Sequence, residues 1–484
     1  MPTIDFDALD YRADQTFAAA HYTLRGDEKG WSVHRDGKAL LELGPGYRLL
    51  RTRACGVCST DLARHHLPFP LPQVIGHEVI ATDEQGRRYV VEINASHHAR
   101  GVASDCPFCS AGLPTHCPER LTLGIHGLPG GFGPWMLVPE HACLEVPANV
   151  PDSAAVLVEP FAAALHAVQT LAPRPGERIA VLGPRRLGML VVAALAGVRA
   201  KAKRTGGEFR IAALARDPAL LQLATTFGAT ETIQVDDTAS ALPDQAFDCV
   251  IDTTGNPAAL ATAVRLARRE VHLKSTHGQP SCGLLQLTGL VVDELALEAF
   301  PSKPDQALAG SAPWQRLRTG KNPRVAWLAQ SPPPLSLLRS AELTRGPAAR
   351  LLPSYTQARD GLPRADCAVA STAAEVDSAI RPIAGDEISL VRPRGSILIL
   401  PDPAEPSPLL RAVAERGLRL GSSRCGDFRQ ALDLLAGDPE LQRIGERLVT
   451  HRFAAAELEA AFATARSRGC IKAVVEHRDA GGRA

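Results

Sequence analysis

Several things are scarce in this 484-residue chain. Charge of one sign is missing: 53 Lys and Arg oppose 52 Asp and Glu, for a net charge of +1. No polyanion partner such as nucleic acid, and no anionic membrane surface, is called for by such a balance. No apolar run approaches the ~18–20 residues that span a bilayer. The start, Met1-Pro2-Thr3-Ile4-Asp5, lacks the basic segment and apolar stretch of a secretory leader. Aromatic residues make up 5% of the chain, and Ala, Leu, Arg and Pro dominate, as in ordinary α/β protein. The eleven cysteines are an odd number, and most lie in apolar runs. A disulfide framework is not expected; reduced thiols and metal ligation in the cytoplasm fit better.

What is present falls into two textures. Residues 1–160 carry short apolar runs broken by Gly and Pro, such as Tyr47 to Thr52 and Arg88 to Glu92. These read as small β structure with loops. Beyond about residue 155 strands alternate with helices. Strands are expected at Arg178–Leu182, Arg210–Ala215, Phe247–Asp252 and Val271–Ser275, with helices at Met189–Ala200, Pro218–Phe227 and Pro257–Ala267. That alternation predicts a parallel sheet of Rossmann type.

The chain also repeats itself. Arg210 to Pro218 returns as Arg324 to Pro332, Phe247-Asp248-Cys249-Val250 as Ala365-Asp366-Cys367-Ala368, and Leu295 to Phe300 as Leu418 to Ser423. Gln306-Ala307-Leu308 returns as Gln430-Ala431-Leu432. The common order suggests a duplicated half-sheet, with residues 311–323 and the run Pro332-Pro333-Pro334 as linker and loop.

The chemistry is concentrated in Cys55-Gly-Val-Cys58-Ser59-Thr60-Asp61, Gly76-His77-Glu78 and the distant Glu159. A thiolate, an imidazole and a carboxylate are the mixed donors of a zinc that keeps one position open. Such a zinc polarises an alcohol or carbonyl oxygen. Cys58 reads as small apolar packing. His65-His66 and His277 read as surface histidines.

With these motifs the chain resembles the zinc-dependent medium-chain dehydrogenase/reductase superfamily, the alcohol, polyol and threonine dehydrogenase-like group. The resemblance covers about 45–300 and 415–475. Val158-Glu159-Pro160-Phe161 looks like the polyol-dehydrogenase form of the domain junction, and Thr450 to Val474 like the closing segment. It implies an α/β protein: a mostly β GroES-like catalytic domain at 1–155 and 440–484 and a Rossmann coenzyme-binding domain at 156–310. The duplicated half would be an insertion at 311–439. By the same resemblance Cys55 and His77 are zinc ligands, Glu78 a direct or exchanging ligand, and Glu159 a fourth or water-bridged one. Thr60, or Ser59 beside it, would relay the alcohol proton.

A second cluster, Cys106-Pro-Phe-Cys109 and then Cys117, falls where the family's structural zinc lobe uses four cysteines; here the first position is Ala103. Asp105, His116, His97 or His98 could complete the set, or the lobe could hold by packing alone. Gly183-Pro184-Arg185-Arg186-Leu187-Gly188 sits where a Gly-x-Gly-x-x-Gly phosphate loop is expected, with Arg185 in place of the middle glycine. A guanidinium there could reach a pyrophosphate or block it. Arg216 ends the second strand where NAD-preferring folds place a carboxylate, which favours NADP(H) over NAD(H); Asp217 stands one residue on. Gly255, in Thr253-Thr254-Gly255, is expected near the cofactor. The duplicated half has no glycine loop of its own.

The sequence thus predicts a zinc-dependent, NADP(H)-preferring oxidoreductase acting on a small alcohol, polyol or sugar. The rival is a divergent, non-catalytic homologue that only binds. Coenzyme domains of the superfamily commonly pair edge to edge in a homo-oligomer, and the added half would occupy or extend that edge.

Overall fold

The computed structural model describes residues 3–204, 206–236, 238–275, 278–302, 324–334, 342–345, 365–380, 389–402 and 404–477. The expected linker at 311–323, the Gln306 repeat and His277 lie outside the described residues. The chain forms two compact units, residues 1–162 with 425–484, and residues 163–424. Among the described residues no helix is long and apolar enough to cross a membrane.

The first unit opens with an antiparallel sheet of β1 (Thr3–Tyr11), β2 (Phe17–Asp27), β3 (Gly30–Arg35) and β4 (Lys38–Leu43), in that order. Alternation sets its inner face: Ala20, Tyr22 and Leu24 are buried while His21 and Arg25 are exposed, the two-residue period of a half-buried strand. One carboxylate goes inside. Asp10 accepts from the Tyr22 hydroxyl at 2.6 Å and meets Arg35 at 2.7 Å, so the buried charge is paired.

The second sheet of this unit centres on β5 (Tyr47–Gly56), flanked by β6 (Glu78–Thr82), β7 (Arg88–Val91), β10 (Trp135–Pro139) and β11 (Cys143–Glu145). A short pair, β8 (Asn94–Ala95) with β9 (Leu121–Thr122), stands apart. From the far end of the chain β24 (Lys472–Glu476) pairs antiparallel with β5, and β23 (Val449–Ala454) pairs with β24. The closing segment therefore packs against the strand that leads to the Cys55–Asp61 motif.

The second unit is built on an eleven-stranded sheet. Its first half runs β14 (Glu231–Gln234), β13 (Arg210–Ala215), β12 (Arg178–Leu182), β15 (Phe247–Asp252), β16 (Ala267–Leu273) and β22 (Arg419–Ser422). These pair in parallel, which gives the Rossmann order 3-2-1-4-5-6. The sheet continues through β17 (Ala296–Ala299), β21 (Val391–Ile399), β20 (Ala365–Ala370), β18 (Arg324–Trp327) and β19 (Glu342–Arg345). β18 lies between β19 and β20, the place β12 holds between β13 and β15. By position in the sheet it matches the Arg178 strand rather than the Arg210 strand that the letter-by-letter repeat suggested.

Candidate active site and metal centre

β5 ends at Gly56 and a short helix begins at Ser59, so the two cysteines of the motif fall on different elements. Cys55 is fully buried on the strand among apolar core residues such as Val57, Ile75 and Val79. A Cβ on Gly76 would come within 2.7 Å of its sulfur. Burial, then the Asp61 and Glu78 carboxylates, push its thiol well above the ordinary range. Cys55 is expected as the ligand, but its side chain lies among core residues, whereas the sulfur beside the His77 ring is that of Cys58.

Cys58 precedes the helix Ser59–Leu62 and is half-buried. Its backbone N–H donates to Asp61 Oδ2 at 2.8 Å. The same carboxylate's other oxygen lies 3.2 Å from His77 Nδ1, with both side chains buried. Burial would depress the His77 imidazole, but the Asp61 carboxylate and the Cys58 thiol beside it hold its pKa well above the ordinary value. A carboxylate behind one histidine nitrogen, with a thiol beside the ring, is how first and outer ligands of a metal site are arranged. Cys58 is the sulfur that the sequence reading set aside.

Glu78 is expected as a direct or exchanging ligand. It is 1% exposed and paired with Lys472 of β24, 3% exposed, whose ammonium also donates to the Val57 carbonyl at 3.0 Å. Glu159 is half-buried in the first turn of the helix Val158–Leu171. Thr60 is half-buried and Ser59 exposed.

The lobe closes around a fourth donor. Nδ1 of His97 lies 3.4 Å from the Cys117 sulfur and 3.8 Å from that of Cys109, and the Cys106 and Cys117 sulfurs are 3.9 Å apart. All four donor atoms lie within 4.8 Å of one another. Tetrahedral zinc with Zn–S near 2.3 Å and Zn–N near 2.05 Å requires S···S of about 3.8 Å and S···N of about 3.5 Å, so this set fits the ion. Nε2 of His97 meets Glu119 at 3.1 Å, the carboxylate support common behind metal-bound histidine. Burial pushes the Cys117 thiol up to about 12, where bound metal would hold a thiolate. Among the described residues this is the one cluster of such donors so closely spaced.

In the second unit Gly183 follows β12 with φ +80°, a conformation that favours glycine, and the Arg185 N–H donates to its carbonyl at 2.8 Å. A Cβ on Gly188 would lie 2.6 Å from the Gly183 carbonyl and 2.7 Å from Thr253 Oγ1, so the helix Arg186–Lys203 packs here only without a side chain. Leu187 is half-buried in its first turn. Gly255 follows β15, whose last residue, Asp252, accepts from the Thr254 N–H at 2.9 Å. Arg216 is exposed at the end of β13, while Asp217 caps the helix Pro218–Thr226 by accepting from Ala219 N–H at 2.9 Å.

Residues 44–148 match the family described as Alcohol dehydrogenase GroES-like domain. An L-threonine 3-dehydrogenase of Mesorhizobium japonicum is 26% identical over 318 residues, covering 56% of this chain and 91% of that protein. L-galactonate-5-dehydrogenase of Escherichia coli is 28% identical over 236 residues, 46% of this chain and 67% of its own length. Among solved structures, a putative zinc-binding dehydrogenase from Sinorhizobium meliloti bound to NADP superposes with a TM-score of 0.54 at 18% identity, covering 97% of this chain and 98% of that one. An alcohol dehydrogenase from Thermotoga maritima gives 0.56 at 15%, covering 98% and 100%. The GroES-like match and these relatives support a place in the zinc-dependent medium-chain dehydrogenase/reductase superfamily, and the solved structures show its fold.

Proposed function

We propose that the protein is a zinc-dependent oxidoreductase that moves hydride between NADP(H) and a small alcohol, polyol or sugar. Asp61 carries this reading: one buried carboxylate fixes the backbone of Cys58 and the ring of His77 together. Cys58 and His77 would hold the catalytic zinc, with Glu159 as a further or water-bridged donor. Zinc held there would supply a Lewis acid for the substrate oxygen, and a bound nicotinamide would supply a hydride acceptor or donor.

The chain's own residues supply the rest. Asp61 keeps the His77 ring in one orientation, leaving Nε2 for the metal. The Thr60 hydroxyl, two residues beyond Cys58, accepts the alcohol proton and passes it toward solvent. Lys472 neutralises Glu78 and holds the Val57 carbonyl, which steadies the turn that presents Cys58. Gly183 and Gly188 shape the pyrophosphate loop, and Arg185 replaces a glycine N–H contact with a guanidinium. Asp217 is occupied by its helix cap, so Arg216 is the residue offered to a ribose 2′-phosphate. The His97, Cys106, Cys109 and Cys117 set would hold a second, structural zinc.

Metal content and dinucleotide titration test the reading. Two zincs per chain are expected, with NADPH bound more tightly than NADH. Cys58→Ser should lose one zinc and Cys55→Ala neither. A chain that binds no zinc and no dinucleotide, or loses zinc with Cys55 rather than Cys58, overturns it.

A further inference from the structure

With the edge strand β14 set aside, the described strands of the large sheet read the same from β13 and from β19 toward the middle. Inward from one side come β13, β12, β15, β16 and β22; from the other, β19, β18, β20, β21 and β17. Where the two runs meet, β22 and β17 are antiparallel, with Leu297 opposite Leu420. An antiparallel pair relating two equal runs of strands is the geometry of a two-fold contact between like subunits.

Details recur on both sides. The Arg178 N–H donates to Asp248 Oδ2 at 2.8 Å, and the Arg324 N–H to Asp366 Oδ2 at 2.9 Å. The register slips between Phe247 and Cys249 where β15 meets β16, and between Ala365 and Cys367 where β20 meets β21. Both central strands are entered the same way. The helix Thr288–Val292 leads to Glu294 at φ +52° and then Leu295; the helix Pro408–Arg416 leads to Gly417 at φ +69° and then Leu418.

The central strands are exchanged. β17 follows β16 in sequence but pairs with β21, and β22 follows β21 but pairs with β16. A polar row ties the middle four strands: Glu270 to Arg419 at 2.8 Å, Arg419 to Glu298 at 2.9 Å, and Ser396 to Glu298 at 3.1 Å. After β20, at the place Thr253–Gly255 hold after β15, Glu375 accepts from the Ser371 N–H at 2.6 Å and the Thr372 N–H at 3.1 Å, and Glu405 from the Ala373 N–H at 3.0 Å.

We infer that the added half is a covalently attached pseudo-subunit. It pairs with the coenzyme half about a local two-fold axis, exchanges its innermost strand with it, and occupies the sheet edge on which a second copy of the chain would otherwise dock. The protein is accordingly a monomer.

The test is a pair of introduced cysteines, Leu297→Cys with Leu420→Cys, in the full-length chain. Partners across an antiparallel ladder stand about 4.5–5.5 Å apart at Cα, within reach of a disulfide. Oxidation followed by peptide mapping should find the 297–420 link within single chains, running as one chain on a non-reducing gel. A 297–420 link between two chains would overturn the proposal. Sedimentation of the unmodified protein does not depend on the variant folding. One species at the mass of a single chain is expected, and a dimer refutes the inference.

Discussion

Lys472→Met isolates one interaction beneath the candidate active site. Lys472 and Glu78 are almost fully buried and paired, and the ammonium also satisfies the Val57 carbonyl. Removing the lysine strands a carboxylate in a protein interior, which costs about 3–5 kcal/mol. In a unit of the size formed by residues 1–162 and 425–484, each kcal/mol moves the melting temperature by about 2–4 °C. The expected loss is therefore about 6–20 °C, read by calorimetry at neutral pH. The double variant Lys472→Met with Glu78→Gln removes the orphaned charge and should recover more than half of the loss. The single variant should also weaken zinc binding at the site proposed on Cys58 and His77, because the turn carrying Val57 loses its anchor. A shift under about 2 °C, or a double variant no more stable than the single one, would refute the buried-pair argument.

Other outcomes follow from the same geometry. His97→Ala should release one zinc on metal analysis while His97→Cys retains it, and Glu119→Gln should weaken that site by about 10–100-fold. Gly188→Ala places a methyl against the Gly183 carbonyl and should abolish dinucleotide binding, measured by fluorescence titration, with zinc content unchanged. Arg216→Ser should weaken NADPH by about 10–100-fold, the size of a lost charge-assisted contact, and leave NADH nearly unchanged. Burial lowers the pKa of His477, which also contacts the Gly131 carbonyl at 3.2 Å, to about 4. The unfolded chain takes up this proton first, so stability present above pH 6.5 should fall as pH drops toward 4, by up to about 3 kcal/mol. His477→Phe should flatten that decline in denaturant titrations.

The parallel strands were legible because they are buried on both faces and read as unbroken apolar runs: Arg210–Ala215 and Phe247–Asp252 fall as expected. β14 was missed because Thr232 and Gln234 are exposed and leave no such run. The site was legible as a set of motifs but not as a choice among their members. Cys55 and Cys58 are three residues apart, and the strand–helix boundary between them decides which sulfur faces His77; donor type alone does not reveal that. His97 was one of four candidates, singled out by the lobe's folding and by the helix His97–Arg100 that carries it. Lys472 left a signal that went unread, since a lysine opening the apolar run Lys-Ala-Val-Val needs a buried partner. The repeat was visible in letters, but matching Arg324 to Arg210 put its first strand in the wrong place. Only hydrogen-bonded neighbours distinguish one βα strand from the next.

The pairing of β16 with β22 joins Glu270 to Arg419, and that separation sets a schedule for the newborn chain. At translation rates of about 5–20 residues per second, the sixth strand reaches the ribosome exit roughly 7–30 s after the fifth. Throughout that interval the β16 edge, with Val271 and Leu273, has no native neighbour to cover it. Unpaired edges of this kind invite other chains, so the yield of soluble protein should depend on how fast, and how warm, the chain is made.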